Sequence, residues 1–245
     1  MARIYRTAAG YIVEDGGAHR VLEGDPFGTW SAGAEVGAPS TVLAPVVPSK
    51  IVCVGLNYKD HAAEQGKPLP AEPLIFLKPS TAIVADGEPI VIPDGIGRVD
   101  YESELAVVIG RRATRVREAD ALAHVLGYTC MNDVSARDLQ KKDGRYTRAK
   151  GFDTFAPLGP CIATGLDAGD LPVQGLVNGI VRQDSSTREL IFPVATLIAY
   201  ISHIMTLLPG DVVSTGTPAG IGPLERGDEV TVRVGGIGDL RNPVR

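Results

Sequence analysis

The stretch D-Y-E-S-E-L-A-V-V-I-G, residues 100–110, constrains the fold of this chain more than any other. Glu102, Glu104, Ala106 and Val108 alternate with Ser103, Leu105, Val107 and Ile109. On a β-strand successive side chains point to opposite faces, which puts Glu102 and Glu104 on one face, about 7 Å apart along the strand. The apolar run behind them reads as a buried strand, so the two carboxylates stand at the edge of a core. At about 4–5 Å two carboxylates repel by roughly 3–4 kcal/mol at an effective dielectric near 20. A divalent cation, a shared proton or solvent at a sheet edge would each offset that cost.

The segments around this strand are short and broken by Gly and Pro. Residues 1–45 hold brief apolar pieces, Ile4–Tyr5, Tyr11–Val13 and Arg20–Leu22, and read as a small β-rich appendage. Pro45 and Pro48 punctuate the entry to a main domain spanning 46–245. Within it, Lys50–Gly55 reads as a buried strand, 58–65 as a turn or two of helix ending at Gly66, and Leu74–Leu77 and Pro89–Ile92 as strands. Helical patterns are expected over Val116–Leu126, Val134–Lys142 and 194–207, and closing strands over Asp211–Thr215 and Glu229–Val234. Val177-Asn178-Gly179-Ile180 is a hairpin signal, because Asn-Gly supplies the positive φ angles of a two-residue turn. Many short strands with few helices point to a β-dominated roll or barrel, not a doubly wound sheet.

Composition excludes several function classes. With 44% hydrophobic residues in 245, the chain has enough apolar surface for a sizeable core, and its net charge of −5 argues against nucleic acid or an anionic membrane as partner. Cys53, Cys130 and Cys161 are far apart, each in an apolar context, and read as reduced core residues of a cytoplasmic protein. Leu190–Gly210 carries no Asp, Glu, Lys or Arg over nearly the length of a bilayer. Pro193, Thr196, Ser202, His203 and Thr206 interrupt it, and its apolar positions recur at helical spacing, so it reads as a buried helix.

Asp133 adds a third carboxylate to Glu102 and Glu104. Three oxygen donors without a Cys or His cluster favour a hard cation such as Mg²⁺ or Mn²⁺ over zinc, although solvated strand carboxylates would present the same pattern. On a helix, His61 and Glu64 at i, i+3 share a face, where the carboxylate would orient the imidazole as a general base; a surface His–Glu pair reads identically. Lys78, Arg137, Gln140 and Lys150 could hold a substrate carboxylate or stabilise developing charge, or be solvated. G-T-P-A-G-I-G (216–222) lacks the Gly-Lys-Ser/Thr ending of a phosphate loop, and Gly235–Gly238 lies too near the C-terminus to open a βαβ unit. Neither is read as a nucleotide site.

Taken in order, N-Y-K-D-H-A-A-E, F-L-K-P-S, D-Y-E-S-E-L-A-V-V-I-G, N-D-V-S-A-R-D-L-Q, R-A-K-G-F-D-T-F-A-P-L-G-P, M-T-L-L-P-G-D-V-V-S-T-G-T-P-A-G-I-G and the final N-P-V resemble the fumarylacetoacetate hydrolase family over residues 46–245. The resemblance implies a mainly β fold with some α, a mixed β-sandwich roll, and a homodimer. It matches Glu102, Glu104 and Asp133 to the metal ligands, His61 and Glu64 to a water-activating dyad, and Lys150 to an active-site lysine. It sets Arg137 and Gln140 on the substrate side and Thr217 near the reacting oxygen; Lys78 is expected to contact substrate as well. The implied function is a Mg²⁺- or Mn²⁺-dependent enzyme acting on a small 2-oxo acid through an enolate, by C–C hydrolysis or decarboxylation of the acylpyruvase or oxaloacetate decarboxylase type. A 2-hydroxyhepta-2,4-diene-1,7-dioate isomerase or 5-carboxymethyl-2-oxohex-3-ene-1,7-dioate decarboxylase of aromatic catabolism is the alternative, and a non-catalytic metabolite-binding module the remotest one.

Overall fold

The short N-terminal apolar pieces form a four-stranded antiparallel meander, β1 (Ala2–Thr7), β2 (Gly10–Asp15), β3 (Ala18–Gly24) and β4 (Trp30–Val36). The computed structural model describes every residue from Met1 to Arg245. Next come β5 (Ile51–Gly55), α1 (Lys59–Glu64), β6 (Leu74–Lys78) and β7 (Ile83–Val84). β8 (Val99–Tyr101) and β9 (Ser103–Ile109) are separated only by Glu102, and β10 (Val125–Asn132) returns beside β9. They are followed by β11 (Ser135–Ala136), α2 (Arg137–Asp143), α3 (Thr147–Lys150) and β12 (Ala156–Thr164). The last part contains β13 (Pro172–Val177), β14 (Ile180–Ser186), α4 (Val194–Ile204), β15 (Val212–Ser214), β16 (Gly222–Pro223), β17 (Glu229–Val234) and β18 (Gly238–Pro243).

Eleven strands form one mixed sheet in the order β4-β3-β2-β1-β12-β10-β9-β15-β5-β6, with β7 added in parallel to β12. β14-β13-β17-β18 make an antiparallel sheet and β11-β8-β16 a small third one. Strand β9 shows how the layers meet. Leu105, Val107 and Ile109 enter a core shared with β13, β17 and α4 through Val173, Val232, Val234, Leu197, Ile198 and Ile201. Ala106 and Val108, on the other face, enter a second core with Ile4, Val13, Leu22, Met131 and Ile162. That second core is built almost wholly from the large sheet itself, with Val46 and Ala82 added from connecting segments. A single sheet encloses a core of this kind only by curling, which makes the fold a roll packed against a second sheet. Burial on both faces explains why β9 reads as a continuous apolar run, and each of its large side chains contributes about 1.5–3 kcal/mol of transfer free energy.

The hairpin expected at Asn178-Gly179 joins β13 and β14, with φ values of 52° and 76°. Four other expectations are corrected. Pro89–Ile92 is not a strand of a sheet; Ile90 alone bridges Val244, and Pro89 and Pro93, having no N–H, cannot extend the ladder. Val116–Leu126 is a short 3-10 helix over Glu118–His124, because β9 recruits Val125 opposite Ile109. In Val134–Lys142 the helix waits until Arg137, since Ser135 and Ala136 pair with Asp100 and Val99. The helix expected over 194–207 ends at Ile204, where Leu207 turns to exchange two backbone hydrogen bonds with Ala113. No helix is long and apolar enough to cross a membrane, and all three cysteines are buried and free.

Candidate active site

Glu102, in the break between β8 and β9, is held by two bonds that end the strand pair. Its N–H donates to Asn132 Oδ1 and its carbonyl accepts from Asp133 N, each at 2.9 Å. This exchange fixes the end of β10 against the start of β9. It brings Glu102, Glu104 and Asp133 together with one ligand oxygen from each within 4.8 Å of the others, all three residues buried. They line a cavity of about 820 Å³ whose walls include His61, Phe76, Arg137, Gln140, Lys150 and Thr217.

The cations are distributed unevenly over the three carboxylates. Lys150 Nζ spans Glu102 Oε2, at 2.8 Å, and Asp133 Oδ2, and lies 4.9 Å from the centre of the Phe76 ring. Arg137 donates to Glu102 Oε1 through Nη2, to Asp100 through Nε and to Gln140 Oε1 through Nη1. Glu104 touches no cation. Its Oε2 accepts from Ser214 Oγ at 2.5 Å and Gly216 N at 2.9 Å, and its Oε1 accepts no hydrogen bond. The electrostatics follow. Burial opposes the charge of Glu102, but Lys150 and Arg137 outweigh it and hold the carboxyl well below its ordinary range. Burial and the neighbouring Asp133 and Glu102 push Glu104 up to about 8. Burial would discharge Lys150, yet Asp133 and Glu102 hold its ammonium above the ordinary lysine range.

His61 and Glu64 lie on α1, with His61 Nδ1 2.9 Å from Glu64 Oε2. Gln65 Nε2 donates to His61 Nε2 at 2.7 Å, so the neutral ring carries its proton on Nδ1 and gives it to Glu64. Glu64 is anchored in turn by Gly220 N, 3.0 Å from Oε1. The 216–222 loop thus serves the site through its backbone, with Gly216 bonding Glu104 and Gly220 bonding Glu64. Both are glycines for steric reasons. Their φ angles are +97° and +95°, and a Cβ would meet Asn57 Cβ at 2.9 Å or the Arg182 carbonyl at 2.2 Å.

Thr217 Oγ1 donates to the Ser103 carbonyl at 3.0 Å and accepts from Gln183 Nε2 at 2.8 Å. Lys78 departs from the expected contact with substrate. It is 1% exposed, donates to Asp133 Oδ1 and to the Val134 carbonyl, and does not line the cavity. Its place on β6 puts it behind Asp133, where it orients that carboxylate. Three further contributors are residues to which the sequence assigned no role. Gln183 also accepts from Ser103 N and donates to Pro218 O; Ser214 donates to Glu104; Asn57 bonds Thr215 O and both backbone groups of Phe192. Each makes at least one bond to a residue 80 or more positions away in sequence, which no local pattern records.

The donor set fits a hard divalent cation. It comprises three carboxylates and no sulfur or nitrogen ligand, with one carboxylate, Glu104, buried beside two anions and lacking a cationic partner.

Comparison with known proteins identifies the family. Residues 50–245 match the family model described as fumarylacetoacetate (FAA) hydrolase C-terminal. An Archaeoglobus fulgidus protein is 56% identical over 200 residues, covering 82% of this chain and 80% of that one. The mitochondrial oxaloacetate tautomerase of Xenopus laevis is 45% identical over 83% of this chain and 68% of its own. The crystal structure of a Mycobacterium marinum 2-hydroxyhepta-2,4-diene-1,7-dioate isomerase superposes with a TM-score of 0.92 at 45% identity, covering 100% of this chain and 98% of that one. With four fifths of its length matched by the family model and its roll shared with that structure, the chain belongs to the fumarylacetoacetate hydrolase family.

Proposed function

We propose that this chain is a divalent-cation-dependent enzyme that breaks a C–C bond of a 2-oxo acid, by hydrolysis or decarboxylation, with Glu102, Glu104 and Asp133 holding Mg²⁺ or Mn²⁺. The observation that carries the reading is Glu104, a buried carboxylate between two others with only neutral donors on one oxygen. When bound, the cation supplies Lewis acidity toward the carboxylate and 2-oxo oxygen of the substrate.

The remaining steps belong to the chain's own side chains. Lys150, fixed between Glu102 and Asp133, places a permanent positive charge beside the oxygen on which negative charge develops. Each nitrogen of Arg137 makes one hydrogen bond, which holds Glu102 in place, while the Nε2 amide of Gln140 is free to donate to substrate. Thr217 lines the cavity with its hydroxyl already aligned by Gln183. For hydrolysis, His61 Nε2 takes a proton from water once Gln65 yields its place, and Glu64 stabilises the imidazolium through Nδ1. Decarboxylation needs no such water and leaves the dyad idle.

A second reading is a proton shift without C–C cleavage, in which the same dyad carries the proton between carbon atoms or between carbon and oxygen. The names of two relatives, an oxaloacetate tautomerase and a dienedioate isomerase, favour it. The purified protein assayed against acetylpyruvate, oxaloacetate and a 2-hydroxymuconate-type dienedioate, each with Mg²⁺, Mn²⁺ or EDTA, separates the two. Cleavage products are expected with a cation present, and full turnover in EDTA would sink the cation requirement in either reading.

A further inference from the structure

Most arginines of this acidic chain pair with a carboxylate, as Arg98, Arg137 and Arg233 do. The loop leaving β9 is different. Arg111, Arg112 and Arg115 fall within five residues, all are exposed, and their side chains make neither an ion pair nor a hydrogen bond. Their backbone is nevertheless pinned. Arg111 N donates to the His124 carbonyl, Ala113 exchanges two 2.9 Å bonds with Leu207, and Arg115 N donates to the Ser202 carbonyl at 2.8 Å. Arg115 has a φ of 51°, a left-handed conformation that costs an L-residue about 1–2 kcal/mol. Solvation of free guanidinium groups gives no reason for a strained, rigid turn. A cavity of about 400 Å³ does. It is lined by Arg112, Arg115 and Arg117 together with Thr114, Asp120 and His124, and its one carboxylate, Asp120, is already paired with Arg117.

We propose that this cavity binds a small anion carrying at least two phosphoryl groups. A guanidinium presents paired N–H donors in the fork geometry that phosphate oxygens accept. Two free forks, Arg112 and Arg115, suit two linked phosphoryl groups better than one, and Arg117, paired with Asp120, keeps that carboxylate neutralised beside them. The volume lies within the usual range for small-ligand sites. The pocket is separate from the catalytic cavity, since Arg111 and Glu104 stand at opposite ends of β9, roughly 23 Å apart along the strand.

Inorganic pyrophosphate is the probe, titrated calorimetrically into the EDTA-treated, dialysed full chain at about 150 mM salt, where loose surface charge is screened. Submillimolar binding is expected, with orthophosphate at least about tenfold weaker. The double variant Arg112→Gln/Arg115→Gln is expected to lose at least about tenfold in pyrophosphate affinity while keeping its melting temperature and turnover. Pyrophosphate is also expected to raise the melting temperature of the parent protein and not that of the variant. No binding up to about 10 mM, or equal affinity in parent and variant, would overturn the site. Equal affinity for the two anions would overturn the two-phosphoryl assignment.

Discussion

The two ends of β15 hold two kinds of buried carboxylate. Before the strand, Asp211 is 0% exposed and finished: Oδ1 accepts from Ser49 N, Ser49 Oγ and Lys50 N, and Oδ2 from Leu208 N and the Lys50 ammonium. At its other end, Ser214 and Gly216 serve Glu104, 1% exposed, with two neutral donors on one oxygen and two anions as neighbours. About 10 Å of strand separates them. Burial is the same in both places, but partners are not. Five donors with a cation among them make a carboxylate that locks Lys50 and Leu208 to β15. Two donors without a cation make one that is costly alone and pre-arranged for a ligand, as residues at functional sites commonly are.

The strongest way to break that comparison is Glu104→Gln. The amide keeps an acceptor for Ser214 and Gly216 and removes the charge that the cation needs. Turnover is expected to fall by about a thousandfold, about 4 kcal/mol of transition-state stabilisation, and Mn²⁺ binding measured by titration calorimetry should vanish. The EDTA-treated variant should melt no lower than the parent; a large loss of stability would mean that Glu104 is a structural residue like Asp211. Asp211→Ala tests the opposite end. It strands three backbone N–H groups and the partly buried Lys50, so urea denaturation should show a loss of about 3 kcal/mol, with turnover per folded molecule unchanged.

His61 falls between the two, 5% exposed and held at both ring nitrogens, yet by side chains that can move. His61→Ala is expected to reduce hydrolysis of an acylpyruvate by about a hundredfold and decarboxylation of oxaloacetate far less. Equal losses on both substrates would remove the dyad from water activation and leave it a packing role.

How much of this contrast was legible beforehand depends on the range over which each residue acts. E-S-E entering an apolar run announced two carboxylates at a core edge, and the i, i+3 spacing of His61 and Glu64 survives as a hydrogen-bonded pair on α1. The continuous apolar run also located β9, because alternate residues enter different cores and both faces are buried. What the pattern could not carry is who donates to whom. Asp211 and Glu104 are both acidic residues beside apolar runs, and their different fates rest on Ser49, Lys50, Ser214 and Gly216, each more than 100 positions away from its partner. The bond of Lys78 to Asp133 is hidden from the sequence for the same reason, since only the fold sets β6 behind Asp133. Where local periodicity failed, at Val116–Leu126 and Val134–Lys142, strand pairing with β9 and β8 had overridden a helical pattern.

The smallest expected effect sharpens the comparison from the other side. Asp239, on the β17–β18 hairpin, is bonded by Arg233 through two nitrogens and by Arg241, so it is well partnered, but in an exposed setting. Those hydrogen bonds, Arg233 first, outweigh its slight burial and lower the carboxyl from 3.8 to about 2. The depressed value means that the folded chain favours the charged form. Its contribution is therefore complete above about pH 4, where the unfolded carboxyl is also ionised, and is lost as the pH falls through about 2. Solvent screening keeps that contribution within about 1 kcal/mol. Asp239→Asn should accordingly change urea stability at pH 7 by no more than that, and should flatten only the acid limb of the stability profile below about pH 4. A loss as large as that of Asp211→Ala would show that partners alone, without burial, decide the cost of removing a carboxylate from this fold.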